Sequence, residues 1–356
     1  MRARVASLGI LVALLATTGP ADAASSPSAP SRGVGWPTAE RYLAVARDLP
    51  RRFLDRRLSG ARVLNDPSTG KVWSSSGNYA TTFLIQRGSG VRALRVFHPA
   101  TSASERADPR AVGRRYNKLG SYLTRQQQQG RSLGGLVGFR YVPEAIAVDG
   151  RAVPALDMKY VDGDRIDEYA YGAIRTGDRR ALGDAATRFR RTMKDLGNIR
   201  VAHGDLHPGN IRIGRAGLQL IDYDAMYAPP LEGMESSEIG SPDYQHPAYH
   251  FQNQRRPFDA KMDHFSSLTI YLSLKALSAD PGLWARHHDS SSKGWGMLFS
   301  APRDFLKPSQ SKLFAELRRS PDHEVRYLAN ALYHYVQVPP NKTPPLERLV
   351  SRAQTW

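Results

Sequence analysis

A chain of 356 residues with 41% hydrophobic residues exceeds one ordinary domain and carries enough apolar material for a real core, which excludes global disorder. Fifty Lys and Arg against 33 Asp and Glu give a formal charge of +17, which favours a polyanionic partner. The basic residues are scattered, and no nucleic-acid motif accompanies them, so nucleic acid is not the expected partner. The absence of cysteine excludes disulfides, thiolate catalysis and Cys-ligated zinc.

Residues 1–23 read as an export signal. Met1-Arg-Ala-Arg4 is a basic start, Val5 to Thr17 is a short apolar stretch, and Ala21-Asp-Ala23 fits a small-x-small cleavage site. The stretch is too short to span a bilayer, so the expectation is a secreted or periplasmic protein without a stable transmembrane span. A mis-assigned start would leave it cytoplasmic. Residues 24–62 then form a Ser/Pro-rich linker and an N-terminal helix, with Thr38 as N-cap and the helix running to Leu49 before Pro50.

From Val63 the pattern changes to short runs separated by turn residues. Val72-Trp73, Tyr79–Ile85, Val91–Phe97, Phe139–Ala147 and Ala152–Val161 read as strands, with Gly88-Ser-Gly90 as a hairpin. A helix is expected over Val112–Gln129, inserted among these strands. Beyond Asp164 helices dominate: Leu182–Leu196, Phe258–Leu277, Leu313–Leu317, His323–Val336 and Leu346–Arg352.

The chemistry concentrates at His203-Gly-Asp-Leu-His-Pro-Gly-Asn210, followed by the alternating run Leu218-Gln-Leu-Ile221 and then Asp222-Tyr-Asp224. One loop thus holds Asp205 and Asn210, and a second carboxylate, Asp222, follows a short strand. Phosphoryl transfer needs such a trio: one carboxylate orients the attacking hydroxyl, while an amide oxygen and another carboxylate hold a metal on the phosphates.

These residues resemble the catalytic loop and metal-binding Asp of the protein-kinase-like superfamily, with wording closer to aminoglycoside phosphotransferases and other atypical kinases. The resemblance implies an α+β fold of two lobes sharing a cleft: a small β-rich N-lobe, residues 63–160, and a larger helical C-lobe, residues 161–356. It also implies ATP and Mg²⁺ as cofactors, Asp205 as catalytic base, Asn210 and Asp222 as metal ligands, and His203 as a structural prop. Nucleotide would be held by Gly77 and Asn78 in the Ser74–Ala80 loop, by Arg95, and by the main chain around Lys159 and Val161. Asp263 resembles the buried Asp that anchors the catalytic loop, and Asp224 reads as a second metal ligand or, preferred, as a turn residue bonded to its own backbone. The acceptor would be a hydroxyl, a protein Ser or Thr among the candidates.

Three departures favour an alternative, a pseudokinase that binds partners with little or no transfer. The loop has one glycine, Arg95 stands where the family has Lys, and Val112–Leu119 has no acid to pair with it. Glu105 and Asp108, just before that helix, are the nearest substitutes.

Overall fold

The computed structural model describes residues 36–77, 79–99, 109–236, 238–288 and 296–355. Residues 1–23, Asn78, Glu105 and Asp108 lie outside them. The fold is α+β, and the chain divides into two compact units. One comprises the chain up to Pro109 with Val142–Asp157, and the other Arg110–Tyr141 with Met158–Trp356.

In the first unit, helices α1 (Ala39–Ala44) and α2 (Leu49–Arg52) precede strands β1 (Arg62–Val63), β2 (Ser74–Ser76), β3 (Ala80–Arg87) and β4 (Gly90–Phe97). Thr38 caps α1 through the Arg41 amide, as its sequence position suggested. The expected single helix breaks at Val45, however, and Pro50 lies inside the first turn of α2. There its missing N–H is no loss, because first-turn amides have no helical partner. Val72-Trp73 is likewise not a strand; Val72 makes one isolated bridge to Asn65, and β2 begins at Ser74.

After helix α3 (Pro109–Gln128) the chain re-enters the sheet with β5 (Phe139–Val148) and β6 (Arg151–Lys159). The strand order is β1-β3-β4-β6-β5, with β2 also paired to β3. Antiparallel register sets Thr82 opposite Arg95 and Phe83 opposite Leu94. Alternation therefore sends Phe83, Ile85, Leu94 and Val96 to one face, where they pack with Tyr42 and Ile146 in a buried core. The Tyr42 hydroxyl donates to the Phe97 carbonyl (2.9 Å), tying α1 to the end of β4.

The second unit holds α3 and then β7 (Asp164–Arg165), α4 (Ile166–Thr176), α5 (Arg179–Asn198), β8 (Ile211–Gly214) and β9 (Gly217–Leu220). It continues with α6 (Pro247–Phe251), α7 (His264–Ala279), α8 (Leu283–His287), α9 (Lys312–Leu317), α10 (His323–Tyr335) and α11 (Leu346–Ala353). Strands β7, β8 and β9 form a small antiparallel sheet.

Helix α7 is buried on nearly all sides. A helix so placed must satisfy its own polar groups, and the Ser267, Thr269 and Ser273 hydroxyls donate to carbonyls one turn back. It starts six residues later than the sequence pattern suggests. The Asp259 carboxylate takes the Lys261 amide (2.7 Å), which closes a local turn in competition with the helix. No helix among the described residues is long and apolar enough to cross a membrane.

Candidate active site

Helix α5 runs directly into the loop that begins at His203, and the β8–β9 hairpin carries the chain away from it and back. The pairing of Ile211 with Leu220 is extended by the Ile221 amide, which donates to the Asn210 carbonyl (3.0 Å). Register thus brings Asn210 and the Ile221–Asp222 step to the same end of the hairpin.

His203, fully buried, joins the two segments. Its Nδ1 accepts from the Asp205 amide (3.3 Å), so its Nε2 carries the proton and donates to the Ile221 carbonyl (2.9 Å). Gly204 has φ +82, and a Cβ there would come within 2.2 Å of the Ala225 carbonyl oxygen. Only glycine lets the loop approach that closely.

The Asp263 carboxylate accepts from both the His203 and the Gly204 amides, the second at 2.8 Å. Asp263 occupies the N-cap position of α7 yet makes no side-chain cap bond. Its carboxylate is turned to the loop, the anchoring role expected from sequence, and not to the helix dipole.

Asp205 is the most heavily bonded carboxylate of the loop. Its Oδ1 accepts from the Ser241 amide (3.2 Å), and its Oδ2 from Asn210 Nδ2 (3.2 Å), with His207 Nε2 3.4 Å away. His207 Nδ1 accepts from the Gly209 amide, which leaves its Nε2 as the donor. A carboxylate offers about four lone-pair sites, so room for about one further donor remains. Burial opposes ionisation of Asp205, but the hydrogen bond from His207, electrostatic interaction with the His207 and His203 rings and the Ser241 amide outweigh it and hold the carboxyl at about 2.

Asn210 spends its amide nitrogen on Asp205, donating also to that residue's carbonyl (2.9 Å). Its Oδ1 accepts no hydrogen bond among the described residues, and so remains as an oxygen donor for a cation. Asp222 adopts φ +66, a left-handed backbone that few non-glycine residues take, though Asp does so more readily than most. Strain of this sort persists only where the surroundings impose it, and it is concentrated at functional sites. The next residue, Tyr223, is buried; its hydroxyl accepts from the Val137 amide (2.7 Å) and donates to the Leu220 carbonyl (2.9 Å).

Asp224 makes a long-range contact that its sequence reading did not include. The turn is closed by the Met226 amide on the Tyr223 carbonyl (3.2 Å), while the buried Asp224 carboxylate reaches α3 and accepts from the Tyr116 hydroxyl.

The other expected contacts are placed as follows. Gly77 closes the β2–β3 hairpin, its amide donating to the Ala80 carbonyl (2.9 Å); among the described residues a Cβ there would meet only that oxygen, at 4.0 Å. Arg95 is half-buried on β4, on the face opposite the first unit's core. The Lys159 amide is spent on the Gly138 carbonyl (3.2 Å) and its side chain is exposed, whereas Val161 makes no main-chain hydrogen bond among the described residues. Asp205, Asn210 and Asp222 are brought together in the second unit; Gly77 and Arg95 belong to the first.

Sequence reasoning missed Arg256. Its guanidinium donates to the Gly204 carbonyl (2.6 Å) and to the Ile239 carbonyl, clamping the loop to the segment that supplies the Ser241 amide. Burial draws its pKa down, against the charges of Asp263 and Asp205. One Arg of the Arg255-Arg256 pair, in a chain with so many, carries no signal of this.

The oxygen donors Asn210 Oδ1 and Asp222 suit a hard cation such as Mg²⁺, which characteristically takes one or two protein ligands and completes its shell with phosphate and water. No group of three His, Asp or Glu that could cage a metal occurs among the described residues. No family model matches the chain, and no curated protein matches it by sequence.

Proposed function

We propose that this protein is an ATP- and Mg²⁺-dependent phosphotransferase with the two-lobed arrangement of the protein-kinase-like superfamily, acting on a hydroxyl acceptor. The observation that carries this reading is the wiring of Asp205 to Asn210 and of Asn210 to Ile221, with Asp222 next in the chain. It supplies the two roles of phosphoryl transfer, acceptor orientation and cation binding, from adjacent groups.

Asp205 directs the acceptor hydroxyl through its remaining lone pair. A carboxyl held at about 2 is a weak base, so it serves mainly to orient the nucleophile. Asn210 Oδ1 and Asp222 hold the cation, which when bound neutralises charge on the transferring phosphate. His203, Asp263 and Arg256 keep the loop's backbone in place. Arg95 contacts phosphate, and the Val161 main chain meets the adenine edge.

A nucleotide-binding module without transfer is the second reading. It is favoured by Asp205 itself, whose carboxylate already carries Ser241, Asn210 and His207.

Calorimetry with ATP tests the nucleotide site common to both. The wild-type protein should bind ATP more tightly with Mg²⁺ than without, and Asp222→Asn should remove that difference. Absence of ATP binding in either condition would sink both readings.

A further inference from the structure

Helix α3 lacks an acidic residue throughout, yet it packs two polar side chains onto the segment that follows Asp222. Tyr116, almost fully buried, donates its hydroxyl to Asp224. Arg115, also buried, donates to the Met226 carbonyl (2.9 Å) and the Glu235 carbonyl (3.1 Å), and lies 5.0 Å from the centre of the Phe258 ring. The burial of this guanidinium is offset in part by the charges of Asp224 and Glu238 as well as by these bonds.

Those bonds, with the Tyr223 hydroxyl held between Val137 and Leu220, restrain residues 223, 224 and 226 in succession. Asp222 immediately precedes them in its left-handed conformation. We propose that Tyr116 and Arg115 are positioning residues for a divalent cation: their hold on Asp224 and Met226 fixes the backbone that aims the Asp222 carboxylate. This rests on the reading of Asp222 as a ligand of the cation that accompanies ATP. The helix would thereby orient the metal ligand through the backbone of residues 223–226, using hydroxyl and guanidinium donors with no acid of its own.

Tyr116→Phe is the informative variant. It removes one oxygen while keeping the ring, whose centre lies 5.7 Å from that of Phe139, so the packing survives. Asp224→Asn is its complement, because the amide oxygen still accepts from the Tyr116 hydroxyl. Calorimetry of the full chain with ATP, with and without Mg²⁺, reads the effect, and thermal melting checks the fold. Loss of a group that orients a metal ligand typically weakens binding by about 10–100-fold, so Tyr116→Phe should lose about that much Mg²⁺-dependent affinity and keep its metal-free affinity. Asp224→Asn keeps an acceptor for that hydroxyl but removes the charge facing buried Arg115, so it should lose no more than Tyr116→Phe. Loss in Asp224→Asn with none in Tyr116→Phe would make Asp224 itself a ligand and overturn the proposal, as would wild-type affinity in both. Failure of the wild-type protein to bind ATP at all would instead overturn the phosphotransferase reading, and this inference with it.

Discussion

The Asp263 carboxylate receives the amides of His203 and Gly204, from a position sixty residues along the chain. Two adjacent buried N–H groups in a loop have no ladder to join, and each would be costly unpaired. One bidentate acceptor satisfies both and fixes the direction in which the loop leaves α5. It also accounts for an N-cap residue that does not cap.

Asp263→Ala should therefore destabilise the protein by about 2–6 kcal/mol, since each of the two stranded buried donors costs about 1–3 kcal/mol. Asp263→Asn, which keeps one acceptor, should lose less. Urea unfolding followed by circular dichroism measures both, and an unchanged midpoint for the alanine variant would show that the loop stands without this anchor.

Asp205 gives a pH dependence of definite sign. Its folded carboxyl lies at about 2 against an ordinary 3.8, so its contribution is fully present above the ordinary value and fades as pH falls toward 2. A shift of this size corresponds to on the order of 2 kcal/mol. Asp205→Asn should show a flatter stability profile between pH 4 and 2 than the wild type. Parallel profiles would mean that Asp205 is not held by His207 and its neighbours as described.

Much of this loop was legible because its chemistry is local. Asp205, Asn210 and Asp222 fall within eighteen residues, and the Leu218–Ile221 alternation marks the strand between them. The α+β content was legible for a similar reason, since period-two and helical runs are local patterns. What escaped were contacts between distant polar residues: Tyr116 with Asp224, Arg256 with Gly204. Asp224 was assigned to its own turn because sequence shows only nearby partners, and α3 satisfies it from 108 positions away. The late start of α7 escaped because apolar periodicity does not report that the Asp259 side chain closes a turn.

Arg95 offers a test in the other unit. It stands on β4 opposite Thr82, on the face away from the first unit's core. Arg95→Ala should keep the melting temperature close to wild type while weakening ATP binding by about one to two decades, the range for losing one charge-assisted contact. Unchanged affinity would remove Arg95 from the nucleotide site.

Transfer itself is tested most directly by incubating the protein with Mg²⁺ and ATP labelled at either the γ- or the α-phosphate. The wild type should place γ-label on itself or on an added hydroxyl acceptor, and α-label on neither. Asp205→Asn should bind ATP as the wild type does and transfer measurably more slowly, because the acceptor hydroxyl loses the carboxylate that orients it. Tight Mg²⁺-dependent ATP binding without transfer of either label would contradict the phosphotransferase assignment and leave a nucleotide-binding module.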